Sequence, residues 1–425
     1  MGVSANVQFG ECLLLQGLSR PAGTSPGPAR RRRGVVVAAI AAVAVAGIAV
    51  SSAASAASAD ALKEKSTPVR DKSLQAGLEE LVKDGTLPGA LMSVRNRDGR
   101  VVNYTAGVGD IRTKSKVPTD GYVRIASSTK MFTAVAILQL AGDGKLALDD
   151  TVEKILPGVV RGTGDGAAVD GRNITIRQLL NHTSGMTQAM PLMPRGILPI
   201  KDRYFDAREL LDAALTQAPA VAPGQDRAFK YSNAGYVLLG LVAQKAAGRP
   251  LAEVITDQII NRIGLKETYY PGPGDREIRA PHPQGYLPPT DDEGKEIPGE
   301  LIDITRFDPS IAGAAGQIIA TPSDVNKFLV ALQTGRLLKP REMAEMRQTV
   351  DASAILPGWR YGLGLTEIPL SCGGVVRGHG GDADGFQSRS AITPDGRAVT
   401  IVATNDGARI MEVLTFFDKV LCATK

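Results

Sequence analysis

The stretch Ser127-Ser-Thr-Lys-Met-Phe-Thr-Ala-Val-Ala-Ile-Leu-Gln-Leu-Ala-Gly142 decides how the rest of the chain is interpreted. Its apolar residues lie all the way round a helix of residues 128–141, which predicts a helix that is buried on every side. Ser127 and Lys130 stand three positions apart where this helix begins. Residues with that spacing share a helix face, so the two side chains can meet.

A serine and a lysine in this arrangement can act as a nucleophile and its base. At the N-terminus of a helix, free backbone N–H groups and the helix dipole favour negative charge that develops on Ser127. Burial of Lys130 favours its neutral form, which accepts the hydroxyl proton. The alternative is a capping serine and a surface lysine, because about one S-x-x-K occurs by chance in a chain of this length.

A second candidate motif, Tyr231-Ser232-Asn233, precedes another apolar helix over residues 236–247. The functional interpretation makes Tyr231 a phenol that relays a proton and Asn233 an amide that binds a substrate carbonyl. The structural alternative makes Ser232 or Asn233 the N-cap of the helix and Tyr231 a packing residue. The residues themselves leave both interpretations open.

The third candidate motif is the glycine-rich segment Arg377-Gly-His-Gly-Gly-Asp-Ala-Asp-Gly-Phe386. Its glycines allow the backbone to approach a ligand closely. The chain has only three histidines, His182, His282 and His379, and they lack carboxylates at the spacing of a metal site. This pattern argues against zinc, and no nucleotide-binding or metalloprotease motif is present. We therefore expect no metal and no cofactor.

Strand patterns occur near both ends of the chain. Two pairs of strands flank the turn signals Asp98-Gly99 and Pro394-Asp395-Gly396, and one further strand pattern covers residues 122–125. The paired strands are 91–94 with 101–104 and 386–392 with 397–403, and helical patterns cover 73–83 and 409–421. Mainly helical material lies between them. These patterns predict an α+β fold, in which an antiparallel sheet from both chain ends is flanked by helices and a mainly helical region is inserted.

We expect a single catalytic domain over residues 73–425. Its sheet part covers about residues 73–126 and 310–425, and its helical part covers about residues 127–309. A long irregular stretch over residues 271–308 interrupts the helical part. Loops of this length are usually functional or disordered.

The N-terminal residues 1–59 have the features of a signal peptide. Arg30 to Arg33 precede an apolar run over residues 34–50, and small residues ending in Ala57-Ser58-Ala59 follow. A retained membrane anchor is the alternative, although the run is short and rich in Ala and Gly. Residues 60–72 form a short polar leader. We expect a secreted protein, extracellular or associated with the cell wall, with no stable membrane span once the signal is cleaved.

The charge of the chain is concentrated in the predicted signal. Residues 1–59 contain five arginines and one acidic residue, so the remainder of the chain is nearly neutral. A nucleic-acid partner would need a basic face, which the remainder lacks. Cys12 would leave with the signal, and Cys372 and Cys422 remain. An even pair in an exported protein can form one disulfide, and two buried free thiols are the alternative.

The motifs S-x-x-K, Y-x-N and H-x-G, in this order on a chain with strands at both ends, resemble those of the serine β-lactamase and DD-peptidase superfamily. The resemblance is to its branch of class C β-lactamases and secreted D-alanyl-D-alanine carboxypeptidases, and it runs from about Pro88 to Lys425. It rests on the strings Tyr122-Val-Arg-Ile-Ala-Ser-Ser-Thr-Lys130, Gln178-Leu-Leu-Asn-His-Thr-Ser-Gly185, Tyr231-Ser-Asn-Ala-Gly-Tyr-Val-Leu-Leu-Gly240 and Ala312-Gly-Ala-Ala-Gly316.

The resemblance implies a role for each residue of the first two motifs. Ser127 attacks a carbonyl carbon and becomes acylated. Lys130 and Tyr231 share the task of accepting its proton and passing it to the leaving group. Asn233 binds an amide of the substrate. The resemblance also implies a bridge between the two C-terminal cysteines, as in secreted carboxypeptidases.

The third motif supplies the opposite side of the site in this resemblance. His379 stands where relatives carry a Lys or His that tunes the tyrosine and faces the acidic end of the substrate. Gly381 and Asp382 belong to the facing strand. The oxyanion hole would consist of the backbone N–H groups of Ser127 and Asp382.

The chain departs from many relatives at the third motif. Gly380 stands where they place a Thr or Ser whose hydroxyl contacts a substrate carboxylate. Asp382 adds negative charge nearby, and Arg377 could offset it. We interpret His182 as part of a structural turn and Arg124 as scaffolding of its strand.

The function implied by the resemblance is hydrolysis through an acyl-serine intermediate. The leading prediction is a D-alanyl-D-alanine carboxypeptidase that acts on the stem peptides of cell-wall peptidoglycan. A class C-like β-lactamase, an esterase and a D-amino-acid amidase are alternatives on the same scaffold, so the partner is a small peptide or β-lactam substrate. An inactive protein that binds cell-wall peptides or penicillin is the alternative from another class.

Overall fold

A computed structural model of the chain describes residues 71–187, 192, 196–221, 228–291, 297 and 299–423. The predicted signal peptide, nearly all of the predicted leader and Cys12 lie outside these residues. Their predicted roles in export therefore stay predictions. Within the described ranges, no helix combines the length and apolar character needed to cross a bilayer.

The described residues contain thirteen strands and ten helices. The strands are β1 Gly89–Arg95, β2 Val101–Gly107, β3 Val123–Arg124, β4 Thr268–Tyr269, β5 Tyr286–Leu287, β6 Ile302–Asp303, β7 Ile319–Ala320, β8 Val350–Asp351, β9 Arg360–Tyr361, β10 Thr366–Pro369, β11 Val375–Ala383, β12 Phe386–Ile392 and β13 Ala398–Ala403. The helices are α1 Lys72–Val82, α2 Thr129–Gly142, α3 Val152–Ile155, α4 Ile176–Leu180, α5 Ala207–Ala214, α6 Asn233–Ala247, α7 Leu251–Ile255, α8 Pro322–Gln333, α9 Pro340–Met346 and α10 Ile410–Cys422.

The main sheet joins the two ends of the described chain. Its eight strands run in the order β2-β1-β13-β12-β11-β10-β9-β8, and every neighbouring pair is antiparallel. In β1, Met92 lies opposite Tyr104 of β2 and Ile401 of β13. The predicted antiparallel sheet from both chain ends is therefore confirmed.

The two faces of this sheet pack against different helices because successive side chains of a strand point to opposite faces. Met92 and Ile401 belong to a buried cluster with apolar residues of the terminal helices α1 and α10. The opposite face packs against α8, where Asn326 Nδ2 donates to the Ser93 carbonyl at 2.9 Å. Helices on both faces bury the central strands.

Helix α2 lies at the centre of the helical region. Its residues from Thr129 to Leu140 are all buried, as expected from an apolar helix without a polar face. The predicted strand over residues 122–125 forms as β3, but it pairs with β7 in a separate three-stranded sheet. The amide of Ile125 continues this pairing to the Ile318 carbonyl at 3.1 Å, which anchors the chain just before Ser127.

The division into a sheet part and a helical part stays a prediction. Helices α8 and α9 lie in the segment that was assigned to the sheet part. The sequence patterns described above do not include α8 or α9, and they do not show that α8 packs on the sheet rather than in the helical region. That placement depends on long-range contacts.

The disulfide between Cys372 and Cys422 joins the turn before β11 to the last residue of α10. The two cysteines are separated by 50 residues. A covalent link across such a loop reduces the conformational entropy of the unfolded chain. The bond therefore holds the C-terminal helix to the sheet that it covers.

We expect the Cys372→Ser/Cys422→Ser variant to lose stability. For a loop of this length, the chain-entropy relation gives a loss of up to about 4 kcal/mol in the free energy of unfolding. Urea unfolding of the variant and of reduced wild-type protein, each compared with the oxidised protein, measures this loss. An unchanged urea midpoint in both would contradict a stabilising role for the bond.

Candidate active site

Ser127 lies in a 3-10 turn, Ala126–Ser128, that leads directly into α2. The serine is half-buried, whereas its neighbours in the turn are buried. Ala126 has a φ of +47°, in the left-handed region that non-glycine residues seldom adopt. Such strain persists where surrounding contacts impose it, and it is concentrated at functional sites.

Lys130 lies in the first turn of α2 and has no exposed surface. Its Nζ atom is 2.9 Å from Ser127 Oγ, 2.7 Å from Asn233 Oδ1 and 2.9 Å from the Ala315 carbonyl oxygen. Burial lowers the pKa of Lys130 well below its ordinary value, which favours the neutral amine.

For the neutral form of Lys130, its contacts assign the direction of its hydrogen bond with the serine. A neutral amine has two N–H donors and one lone pair. The amide oxygen of Asn233 and the carbonyl oxygen of Ala315 can only accept, so they take both donors. The lone pair then faces the hydroxyl of Ser127, which donates its proton to Nζ.

Tyr231 approaches Ser127 from the segment before α6. Its hydroxyl faces the Ser127 side chain, and its ring centroid lies 4.9 Å from Lys130 Nζ. Burial raises the pKa of Tyr231, and the interaction with Ser127 opposes this shift only in part. The phenol is therefore protonated at neutral pH. The hydroxyl, amine and phenol predicted from the first two motifs thus lie together.

Strand β11 lies against the turn that carries Ser127, and Gly381 permits this approach. A Cβ atom at Gly381 would lie 2.2 Å from the Ile125 carbonyl oxygen and 3.0 Å from the Ser127 backbone nitrogen. Both distances are too short for a side chain. Ser388 on the neighbouring strand also donates to the Ile125 carbonyl at 3.2 Å. Only glycine fits where the two segments meet.

The charge of Asp382 is offset by a different arginine from the one expected. Arg389 on β12 donates to Asp382 Oδ1 at 2.7 Å, and the Arg389 side chain is only 7% exposed. Arg377 instead pairs with Glu367 on β10 at 2.6 Å. The expectation that Arg377 offsets Asp382 is therefore wrong, because the side chains of the two residues pair with different neighbouring strands.

His379 is directed into the protein rather than towards the cleft. The residue is 4% exposed, its Nε2 atom lies 2.8 Å from the Tyr361 hydroxyl, and its Nδ1 atom contacts the Gly380 carbonyl oxygen. Burial lowers its pKa to about 3. Its ring centroid is 6.3 Å from that of Tyr231. Contact of His379 with a substrate stays a prediction.

A cleft of about 520 Å³, counting the space open to solvent, lies beside Ser127 and Asn233. Its apolar wall includes Phe307, Pro309, Ile311, Ala312 and Ala315. Its polar wall includes Arg124, Asp382 and Asp384. Because Ser127 lines this cleft, the cleft is the candidate substrate-binding site.

Arg124 and Asp384 give the cleft one buried cation and one half-buried acid. Arg124 Nη2 donates to the carbonyls of Arg276, Thr305 and Phe307 at 2.8–3.0 Å. The arginine therefore holds the loop that carries Phe307, which agrees with a scaffolding role. Burial raises the pKa of Asp384 to about 6, and the charge of Arg124 opposes this rise.

Two residues of the site were not predicted as functional from the sequence. Ala315 contributes only its backbone carbonyl, which no residue pattern reveals, although it lies in the string 312–316 that supports the resemblance. Asp384 lies in the glycine-rich segment over residues 377–386. It differs from Asp382 only in its side-chain environment, which the sequence does not show. A search for acidic residues next to glycine-rich strands would have found Asp384 as well as Asp382.

The described residues contain no group of three histidine, cysteine or acidic side chains that could hold a metal ion. The prediction that the reaction uses no metal and no cofactor stays a prediction. The polar groups around Ser127 are instead an amine, a phenol, an amide and backbone N–H groups.

Comparison with known proteins places these features in a family. The Beta-lactamase family model matches residues 74–417. The chain is similar to penicillin-binding protein 4 of Amycolatopsis lactamdurans, with 28% identity over 79% of this chain and 85% of the relative. It is also similar to the esterase EstB of Burkholderia gladioli, with 27% identity over 68% of this chain and 78% of the relative.

A solved structure of a D-stereospecific amidohydrolase from Streptomyces sp. has the same fold. It superposes with a TM-score of 0.73 and 35% sequence identity, and the match covers 83% of this chain and 99% of that chain. The family match begins within α1 and ends within α10. The chain therefore belongs to the Beta-lactamase family and is a serine hydrolase of that family.

Proposed function

We propose that this hydrolase cleaves amides of D-amino acids and of short peptides through an acyl-Ser127 intermediate. The observation that carries the reaction class is the 2.9 Å contact between Lys130 Nζ and Ser127 Oγ inside a buried site. A neutral amine at this distance can accept the serine proton. The reaction then needs an acid for the leaving group and donors for the oxyanion.

The residues around Ser127 supply each step of acyl transfer. Ser127 Oγ attacks the carbonyl carbon while its proton passes to Lys130. The Tyr231 hydroxyl protonates the leaving amine as the C–N bond breaks. The backbone N–H groups of Ser127 and Asp382 stabilise the oxyanion. A water molecule then attacks the acyl-serine with the same groups in reversed roles, which releases the acid and restores the Ser127 hydroxyl.

The polar wall of the cleft supports a substrate with a free amino group. Asp382 is paired with Arg389, whereas Asp384 has no ion pair within 4.0 Å among the described residues and lines the cleft. An ammonium group would be attracted to the Asp384 carboxylate. The apolar wall with Phe307 would receive the side chain of the substrate. The similarity to a D-stereospecific amidohydrolase supports this substrate class.

A second candidate is the D-alanyl-D-alanine carboxypeptidase predicted from the sequence, acting outside the cell on peptidoglycan stem peptides. Arg124 favours it, because Nε and Nη1 of this guanidinium have no hydrogen-bond partner among the described residues and a carboxylate suits such a cation. The similarity to a penicillin-binding protein also supports it. However, the Arg124 side chain is 2% exposed and Gly380 offers no hydroxyl, so the amidase ranks first.

We expect a fluorophosphonate probe to label the wild-type protein at Ser127 and to leave Ser127→Ala unlabelled. Ser128 lies next to it but is fully buried, so Ser128→Ala is the matched control and keeps its label. Mass spectrometry of the tryptic peptide identifies the modified residue. Retained labelling of Ser127→Ala would remove Ser127 from the proposal.

We expect Asp384→Asn to raise KM for D-phenylalanine amide about 10-fold with little change in kcat, because an attraction to the ammonium is lost. The N-acetylated amide has no ammonium and serves as the matched substrate, with an unchanged KM. The pKa of Asp384 is raised to about 6, so the wild-type KM for the free amide should rise as the pH falls through 6. A preference for acetyl-D-Ala-D-Ala peptides over both amides would favour the carboxypeptidase instead.

The Gly381→Ala variant should lose most of its activity. Its Cβ would displace β11 from the Ser127 turn, and loss of one oxyanion donor lowers kcat about 100-fold to 1,000-fold. Gly380→Ala is the control, because the nearest atoms to a Cβ there are at 3.5 Å. Initial rates with p-nitrophenyl acetate, compared at equal folded fractions, measure both. Similar rates for the two variants would contradict the proposed oxyanion hole.

A further inference from the structure

His182 holds the segment that carries Tyr231 through its backbone. The residue follows α4, is fully buried and has a φ of +60°. Its carbonyl oxygen accepts a hydrogen bond from the Lys230 amide at 2.8 Å. Its Nδ1 atom accepts another from the Ser232 amide at 3.1 Å. The residues on both sides of Tyr231 are therefore bound to His182.

The imidazole of His182 also packs directly on the Tyr231 ring. The two ring centroids are 4.2 Å apart, with an angle of 34° between the planes. The other rings around His182 belong to Tyr361, Tyr236 and Phe229, with centroids at 4.8, 5.1 and 5.6 Å. These contacts restrict rotation of the imidazole, because protein interiors are closely packed.

The imidazole of His182 carries one ring hydrogen and no charge in this arrangement. Since Nδ1 accepts from the Ser232 amide, the ring hydrogen is on Nε2. That nitrogen is buried and has no hydrogen-bond partner among the described residues. Burial lowers the pKa of His182 well below its ordinary value. The imidazole is therefore neutral at the pH of catalysis.

We propose that His182 is a positioning residue that holds the Tyr231 hydroxyl against Ser127. The inference rests on the proposed acyl-serine chemistry, but not on the identity of the natural acyl donor. The imidazole stacks on the Tyr231 ring, and its Nδ1 and carbonyl oxygen hold the adjacent amides. Ser232 then caps α6 through its Oγ at 3.0 Å from the Gly235 amide, which connects the same segment to the helix that contains Asn233.

The test is a double-mutant cycle between His182→Phe and Tyr231→Phe. Phenylalanine keeps a ring at position 182 but removes the Nδ1 acceptor, so the buried Ser232 amide loses its partner. We expect the second-order rate of Ser127 labelling by a fluorophosphonate to fall about 10-fold in the wild-type background. In the Tyr231→Phe background, the same substitution should change the rate less than twofold, because it acts through the phenol. The same fall in both backgrounds would overturn the proposal.

A steady-state measurement separates positioning from a general loss of stability. With p-nitrophenyl acetate, His182→Phe should lower kcat with KM unchanged, as expected when an interaction of the transition state is weakened. Tyr236→Phe is the matched control, since it removes a buried hydroxyl from the same group of rings. The Tyr236 hydroxyl donates to the Leu180 carbonyl at 2.8 Å. It should lower the Tm but leave labelling within twofold. An equal loss of labelling in Tyr236→Phe would overturn the proposal.

The left-handed backbone at position 182 disfavours phenylalanine more than histidine. If His182→Phe does not fold, His182→Asn is the second variant, because asparagine tolerates this backbone conformation and removes the ring that stacks on Tyr231. The expected and contradicting results are the same for both variants. Labelling of the wild type without hydrolysis of D-amino-acid amides would overturn only the proposed substrate. Absence of wild-type labelling would overturn the acyl-serine proposal and this inference together.

Discussion

The buried amine of Lys130 is the constraint on which the rest of the site depends. A charged ammonium in this position would have to lose its hydration, at a cost of several kcal/mol. The neutral form avoids that cost, but it needs acceptors for its two hydrogens. Asn233 from α6 and the Ala315 carbonyl supply them at 2.7 and 2.9 Å. One nitrogen atom therefore connects α2, α6 and the turn that contains Ala315. Its remaining lone pair is available to Ser127.

The same segments explain why the site lies where the sheet meets the helical region. The turn with Ser127 follows β3 directly, and Gly381 brings β11 against that turn from the main sheet. Residues on the helical side contribute the amine, the phenol and the Ser127 backbone N–H, whereas the sheet contributes the Asp382 backbone N–H of the proposed oxyanion hole. Any change in the packing between these regions alters the distance between the nucleophile and its oxyanion donors.

The sequence predicts the parts of the fold that local patterns determine. The hairpins around Asp98-Gly99 and Pro394-Asp395-Gly396 and the terminal helices form within one or two residues of their predicted bounds, apart from β1 and β2, which are longer. The contact of Ser127 with Lys130 follows from helical spacing. By contrast, the pairing of Asp382 with Arg389 depends on strand register, and the position of His182 beside Tyr231 depends on a contact between segments about 50 residues apart. Neither contact has a local signal in the sequence.

The pairing of Asp382 has a consequence for the proposed oxyanion hole. Asp382, whose backbone N–H is the proposed donor to the oxyanion, also carries a carboxylate. Its negative charge and that of the oxyanion repel each other. Arg389 cancels much of that repulsion, because its guanidinium is 2.7 Å from the carboxylate and almost fully buried, where solvent screens the pair little. The arginine thus makes an acidic residue compatible with a site that must stabilise negative charge. Asp384 lies two residues further along and has no such partner within 4.0 Å among the described residues. Its carboxylate therefore lines the cleft without an arginine that offsets its charge.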